Sequence, residues 1–251
     1  MKKLMAANWK MHKTRHEAKD TTKALVRLLE GRIPAGREVL VIPPFTALRT
    51  VCKKSDDLDG FFVGGQNFYP AESGAFTGEI SPQMLLDLGA SHVLAGHSER
   101  RHVFGESDEF IGRKVAYGLE CGLTVILCVG ELIEERKNGR VEDVLTAQLE
   151  AGLAGVPDDV APERIVVAYE PVWAIGTGEV AGPEDIAAAH AFVRGRLVFR
   201  FGEKGNEIRI LYGGSVKPEN TSDIISLDNV DGVLVGGASL QAESFSAICL
   251  A

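Results

Sequence analysis

Eight short apolar runs, rich in β-branched residues, recur along this chain with longer segments between them. They are Leu4 to Ala7, Val39 to Ile42, Phe61 to Val63, His92 to Ala95, Leu123 to Val129, Ile165 to Tyr169, Ile208 to Tyr212 and Val230 to Val235. Several lack polar alternation, as strands covered on both faces do. The intervening segments carry helix signals. His16 to Glu30 sets Ala18, Leu25 and Leu28-Leu29 near one face. Ser81-Pro82-Gln83 opens a second helix with a cap residue and a first-position proline, and Leu88-Gly89 closes it. Asp108 to Glu120, Val141 to Leu153 and Glu184 to Phe199 follow, the last behind the start signal Gly182-Pro183-Glu184-Asp185. Lys217-Pro218-Glu219-Asn220 repeats that theme more weakly.

Strand–helix alternation requires a parallel sheet, because each crossover returns the chain in the same direction. Eight units in 251 residues suit a closed (β/α)8 barrel with outer helices. An open doubly wound sheet is the structural rival, but no G-x-G-x-x-G follows the first run. No Pro/Ser-rich linker, low-complexity stretch or repeat divides the chain, so a single barrel domain over 1–251 is expected. The 45% hydrophobic share supports a large core. Asp and Glu number 35 against 27 Lys and Arg, for a net charge of −8, which argues against a nucleic-acid partner. No apolar run reaches the roughly 18 residues of a membrane span. The opening apolar stretch is cut by Asn8 and Lys10, too early for a secretory signal. Cys52, Cys121, Cys128 and Cys249 are scattered, which fits a reducing, cytoplasmic setting and no zinc site. His12, His16, His92, His102 and His190 form no metal-ligand spacing and read mostly as surface or helix residues.

In such barrels the chemistry occupies the mouth at the C-terminal strand ends. The residues following the runs are accordingly informative: Asn8-Trp9-Lys10, Gly64-Gly65-Gln66-Asn67, Gly96-His97-Ser98-Glu99, Gly130-Glu131, Glu170-Pro171, Gly213-Gly214-Ser215 and Gly236-Gly237. Polar residues or glycine at so many matching ends point to one shared pocket. Gly213-Gly214-Ser215 and Gly236-Gly237 follow the seventh and eighth runs, where glycine lets backbone N–H groups approach a phosphate. Tight turns alone are the plain alternative.

Glu170 precedes a long connection of bulky apolar residues flanked by Pro and Gly, which reads as a lid. A carboxylate kept dry beneath it suits a general base, and a strand-end Glu paired with a cation fits equally. His97 stands where Ser98-Glu99-Arg100-Arg101 can open a helical turn. A helix N-terminus disfavours imidazolium, so a neutral hydrogen-bonding imidazole is expected there, against an ordinary structural histidine. Lys10 can offset a developing oxyanion or form a Schiff base, or remain a surface ion-pairing lysine. Glu134-Glu135-Arg136-Lys137 reads as a solvated helix face, and Cys128 as a packed strand residue.

Seven stretches together resemble the triosephosphate isomerase family. They are AANWKMHKT (Ala6 to Thr14), GGQNFYPAESGAFTGEIS (Gly64 to Ser81), GHSERRHVFGESDE (Gly96 to Glu109), ILCVGE (Ile126 to Glu131), AYEPVWAIGTG (Ala168 to Gly178), LYGGSVKPEN (Leu211 to Asn220) and GVLVGGASL (Gly232 to Leu240). The resemblance runs from the first strand to the last helix. It implies the TIM-barrel fold and an aldose–ketose isomerase of glycolysis and gluconeogenesis, working without metal or organic cofactor on triose phosphates. It also implies that family's well-known arrangement of a Glu base, a neutral His and a closing loop. Carried over by matching positions, Glu170 is the base, His97 the electrophile and Lys10 the electrostatic stabiliser with Asn8 beside it. Glu99 supports His97 and Lys10. Pro171, Val172, Trp173, Ala174, Ile175, Gly176, Thr177 and Gly178 form the lid. Asn8, Lys10, Gly176, Ser215, Gly236 and Gly237 bind substrate. The family is typically a homodimer, and the Gln66–Ile80 segment matches the loop that enters the partner, with Thr77 near its tip. Burial of Phe68, Tyr69 and Phe76 in that interface would explain an otherwise exposed aromatic loop. Glu179 departs from the Lys often found after Gly178. The remaining alternatives are another phosphate-binding barrel isomerase, a Schiff-base aldolase using Lys10, or a barrel kept as a binding module.

Overall fold

The computed structural model describes residues 1–174 and 181–251. Eight parallel strands close into a barrel in chain order, β1 pairing with both β2 and β8. They are β1 (Lys3–Asn8), β2 (Arg37–Ile42), β3 (Phe61–Gly65), β4 (His92–Ala95), β5 (Thr124–Val129), β6 (Ile165–Tyr169), β7 (Arg209–Tyr212) and β8 (Gly232–Val235). Among the described residues ten α-helices lie outside: α1 (Arg15–Leu29), α2 (Phe45–Ser55), α3 (Pro82–Asp87), α4 (Ser98–His102), α5 (Asp108–Glu120), α6 (Ile133–Lys137), α7 (Val141–Leu153), α8 (Pro183–Phe201), α9 (Pro218–Ile225) and α10 (Ala242–Leu250). No described helix is long and apolar enough to cross a membrane.

The two-residue period of the strands divides the core. Leu4, Ala6, Leu40, Ile42, Leu94, Ile126, Cys128, Val166, Ala168, Leu211 and Leu234 fill the barrel interior. Met5, Ala7, Val39, Val41, Val125, Leu127 and Val167 face the helices instead. This double covering is why the runs show no polar alternation. It also sets up the site. Asn8 continues the inward parity of Leu4 and Ala6, Glu170 that of Val166 and Ala168, and Gly236 that of Leu234. Each reaches the mouth just where its strand stops.

The helices begin where local chemistry dictates. Thr14 and Glu17 form a capping box at α1, Ser81 caps α3 with Pro82 behind it, and Ser107 caps α5. The N-caps of α2 and α10, Pro44 and Gln241, make no side-chain cap bond. The eighth strand is shorter than its apolar run. It starts at Gly232, whose φ of +145° and close approach to the Leu4 carbonyl admit only glycine.

His92 opens β4, as its place in the fourth apolar run implies, and is buried there with its Nδ1 2.8 Å from Ser91 Oγ. His190 is a helix residue, as expected, and fully buried. One expectation needs correction. Phe68 belongs to the chain's own core rather than to an exposed loop. The loop beyond it closes on itself: the Tyr69 N–H donates to the Ile80 carbonyl, and the Tyr69 and Phe76 rings lie 4.2 Å apart. Phe76 remains substantially exposed, as do Met11, Met84, Val103 and Phe104.

Candidate active site

The backbone of Glu170 is clamped before its side chain does anything. Its N–H donates to the Val129 carbonyl at 2.7 Å, across from β5. Gly130 lets the Glu170 carbonyl pass where any Cβ would collide with it, and Gly213 leaves room for the Glu170 Cγ. The carboxylate is almost wholly buried and accepts a hydrogen bond from the Ser98 N–H at 2.9 Å. Its other oxygen lies 3.2 Å from His97 Nε2.

His97 caps α4, and its Nδ1 accepts from the Glu99 N–H at 3.2 Å. A nitrogen that accepts from a backbone donor carries no proton, so the ring's proton resides on Nε2. Nε2 is then the donating edge of the His97 ring, and it is aimed at the same space as Glu170. Behind it Arg101 donates to the Gly96 and Cys128 carbonyls, at 2.8 and 2.9 Å, tying the ends of β4 and β5 together. Cys128 is a packed strand residue, its thiol pushed well up by burial and by the neighbouring Glu170 charge.

Lys10 holds a left-handed backbone, φ +49°, which a lysine adopts only when its surroundings impose it. Asn8 Oδ1 accepts the Lys10 N–H at 3.0 Å, and Gln66 Nε2 donates to the Lys10 carbonyl at 2.8 Å. The ammonium pairs with Glu99 Oε1 at 2.7 Å, an engagement that suits a fixed charge better than a nucleophile. Partial burial pushes the Glu99 carboxyl up, but the Lys10 hydrogen bond and charge outweigh it and hold the group below its usual value.

Opposite these groups lie the glycine loops. Asn8, Lys10, His97, Glu170, Ser215, Gly236 and Gly237 all line one cavity of about 300 Å³, the low end of the range for small-molecule sites. Lys217 and Leu234 also line it. Ser215 Oγ donates to the Ala174 carbonyl at 3.0 Å, linking the seventh loop to the chain after Glu170. That chain starts with a short 3-10 turn, Val172–Ala174. Ile175, Gly176, Thr177 and Gly178 of the expected lid, and Glu179, lie outside the described residues. Glu99 does not line the cavity but grips Lys10 from outside it. Thr77 is exposed and does not line the cavity of its own chain.

Sequence reasoning left three contributors without a role. Gln66 was visible as a strand-end residue, but its grip on Lys10 depends on a non-local contact. The Ser98 N–H is backbone and leaves no residue signal. Glu131 is fully buried, and its Oε1 collects Tyr169 Oη at 3.1 Å, Trp173 Nε1 at 2.9 Å and Arg136 Nη1 at 3.3 Å. Arg136, expected on a solvated face, also stacks over Trp173 and pairs with Asp185.

Comparison with known proteins shows the family of the chain. The family model described as triosephosphate isomerase matches residues 3–251. A triosephosphate isomerase of Nitratidesulfovibrio vulgaris (strain Miyazaki F) is 62% identical over 251 residues, all of both chains. One from Lawsonia intracellularis is 53% identical over 99% of this chain and 97% of its own. The crystal structure of triosephosphate isomerase from Bartonella henselae superposes with a TM-score of 0.88 at 41% identity, covering 99% of this chain and 98% of that one. The chain belongs to the triosephosphate isomerase family.

Proposed function

We propose that this chain interconverts dihydroxyacetone phosphate and D-glyceraldehyde 3-phosphate by proton transfer through an enediolate. The observation that carries the assignment of roles is the convergence of a buried carboxylate, a neutral imidazole donor and an ammonium on one small cavity walled by glycine loops. Ser215, Gly236 and Gly237 take the phosphate through backbone N–H groups, with Gly176 joining them from the lid. Glu170 removes the proton from the carbon beside the carbonyl. His97 Nε2–H donates to the carbonyl oxygen and then shuttles the proton between the two oxygens. Lys10 offsets the negative charge that develops there, and Asn8 fixes the Lys10 backbone. Glu170 returns its proton to the adjacent carbon. No metal or organic cofactor takes part.

In the described arrangement the Glu170 carboxylate is spent on the Ser98 N–H and His97. It must leave Ser98 to reach a substrate carbon. A hydrogen bond to a charged group contributes about 1.5–3 kcal/mol, a cost that phosphate binding can offset because the phosphate is remote from the bonds that change. The segment from Pro171, including Val172, Trp173 and Ala174, closes as the lid, excludes water and holds the enediolate against phosphate loss. Two further parts of the reading concern setting. The protein works as a cytoplasmic homodimer, in which the Gln66–Ile80 loop enters the partner and Thr77 approaches the partner's site. Exposed Phe76, Met11 and Phe104 are the apolar surface such an interface would cover.

The test is a coupled assay of purified protein on glyceraldehyde 3-phosphate. Borohydride trapping alongside it separates the aldolase rival: Lys10 is expected to remain unlabelled. Covalent trapping at Lys10, or no isomerisation, would overturn the reading.

A further inference from the structure

Lys13 has no role in the chemistry above, yet its surroundings are unusually well built. It is one of three non-glycine residues with positive φ among those described, at +74°. Such a backbone survives at a lysine only when the neighbours over-determine it. Its Nζ donates to the Leu240 carbonyl at 2.7 Å and to Thr21 Oγ1 at 2.8 Å, and lies 5.2 Å from the centre of the Trp9 ring. Burial pulls the ammonium below its ordinary value, with the nearby Glu17 charge opposing. Trp9 is itself fully buried, and its Nε1 donates to the Ser239 carbonyl at 3.1 Å. Two side chains of the β1–α1 loop thus hold the carbonyls at the end of the 3-10 turn Gly237–Leu240. The start of that same turn faces the cavity at Gly236 and Gly237.

We infer that Lys13 is a positioning residue for phosphate: it fixes the turn Gly237–Leu240 from behind, so that the Gly236 and Gly237 amides are already aimed when the anion arrives. This rests on the reading that those amides take the phosphate. The strained lysine is the linchpin because its ammonium crosses from the first loop to the last, joining Thr21 of α1 to Leu240. Four residues of turn have little intrinsic rigidity. Preorganised donors bind an anion better than mobile ones, because no ordering is left to do on binding.

The experiment compares Lys13→Gly and Lys13→Asn, both of which tolerate positive φ, with Lys13→Arg, which keeps a charged donor. Three quantities are read: kcat/KM for glyceraldehyde 3-phosphate, the inhibition constant of inorganic phosphate, and kcat/KM for phosphate-free D-glyceraldehyde. Lys13→Gly and Lys13→Asn are expected to weaken phosphate inhibition and phosphorylated-substrate efficiency by about fivefold, the worth of one net hydrogen bond. Their activity on glyceraldehyde should be unchanged, and Lys13→Arg should recover most of the loss. Equal losses on both substrates would mark a merely structural lysine and overturn the inference, as would unaltered phosphate inhibition. Failure of inorganic phosphate to inhibit the unaltered protein would instead refute the phosphate reading itself, and this inference with it.

Discussion

Shortening Glu170 by one methylene is the perturbation whose outcome the structure constrains most tightly. Glu170→Asp keeps charge and chemistry and changes only reach. The carboxylate retreats by about 1.5 Å, one carbon–carbon bond length. Backbone movement cannot restore that distance. The Glu170 N–H is bound to Val129 at 2.7 Å, its carbonyl runs against Gly130, and Gly213 packs beside its Cγ. A misplacement of about 1 Å at a reacting group can cost on the order of 100-fold. The loss in kcat should therefore be about 100-fold or more, equivalent to about 2.7 kcal/mol. KM should move much less, because the phosphate grip lies on the other wall of the cavity. Steady-state kinetics in the coupled assay give both constants, and thermal unfolding shows whether the fold is intact. A variant with kcat within threefold of the parent and an unchanged melting curve would refute Glu170 as the base, whatever its position.

His97→Gln should fold normally yet lose proton shuttling between the two oxygens, since an amide cannot both donate and take back the proton at one atom; unchanged kinetics would remove His97 from the mechanism. Gly130→Ala should cost about 3 kcal/mol or more in a denaturant midpoint, because the new Cβ meets the Glu170 carbonyl and forces β5 and β6 apart; full stability would show that the strand ends relax freely. Acid sensitivity should involve His190, which burial lowers to about 4 despite its bond to the Asn229 carbonyl. Its folded value lies below the unfolded value of about 6.5, so the unfolded state binds more protons as pH falls, and stability present above pH 6.5 is lost towards pH 4 at up to about 1.4 kcal/mol per unit. His92, lowered to about 3 by burial and by Arg209 and Arg164, adds to the slope over the same window and extends it towards pH 3. His190→Asn, which preserves a donor for Asn229, should reduce the slope between pH 4 and 6.5 to about half, leaving the His92 part; an unaltered slope would clear His190.

The barrel was legible because burial on both strand faces leaves runs without polar alternation, and a parallel sheet is their only economical arrangement. The mouth was legible from the polar residues and glycines that follow the runs; Asn8, Glu170 and Gly236 stand two residues beyond the inward-facing Ala6, Ala168 and Leu234. What escaped was everything fixed by contacts between distant loops. Gln66 steadies Lys10 across 56 positions of sequence, and Glu131 meets Trp173 across 42. Arg136 looks like part of a solvated run because i,i+1 neighbours dominate a linear reading, yet it turns towards Glu131 and Trp173. His190 carried no sign of burial, because a histidine whose Nδ1 finds a partner is tolerated in a core at a pKa that sequence cannot express. Phe68 was misplaced for the opposite reason: its exposed neighbours in the loop lent it their character.

The central claim is that proton-moving groups and phosphate grip share one cavity in a defined orientation. A crystal structure with a phosphate-bearing enediolate mimic bound tests it directly. The phosphate should sit on the amides of Ser215, Gly236 and Gly237, with the planar carbons between the Glu170 carboxylate, released from Ser98, and His97 Nε2. A mimic bound with its phosphate against Lys10 and Glu99, or one that leaves Glu170 still hydrogen-bonded to the Ser98 N–H, would contradict it.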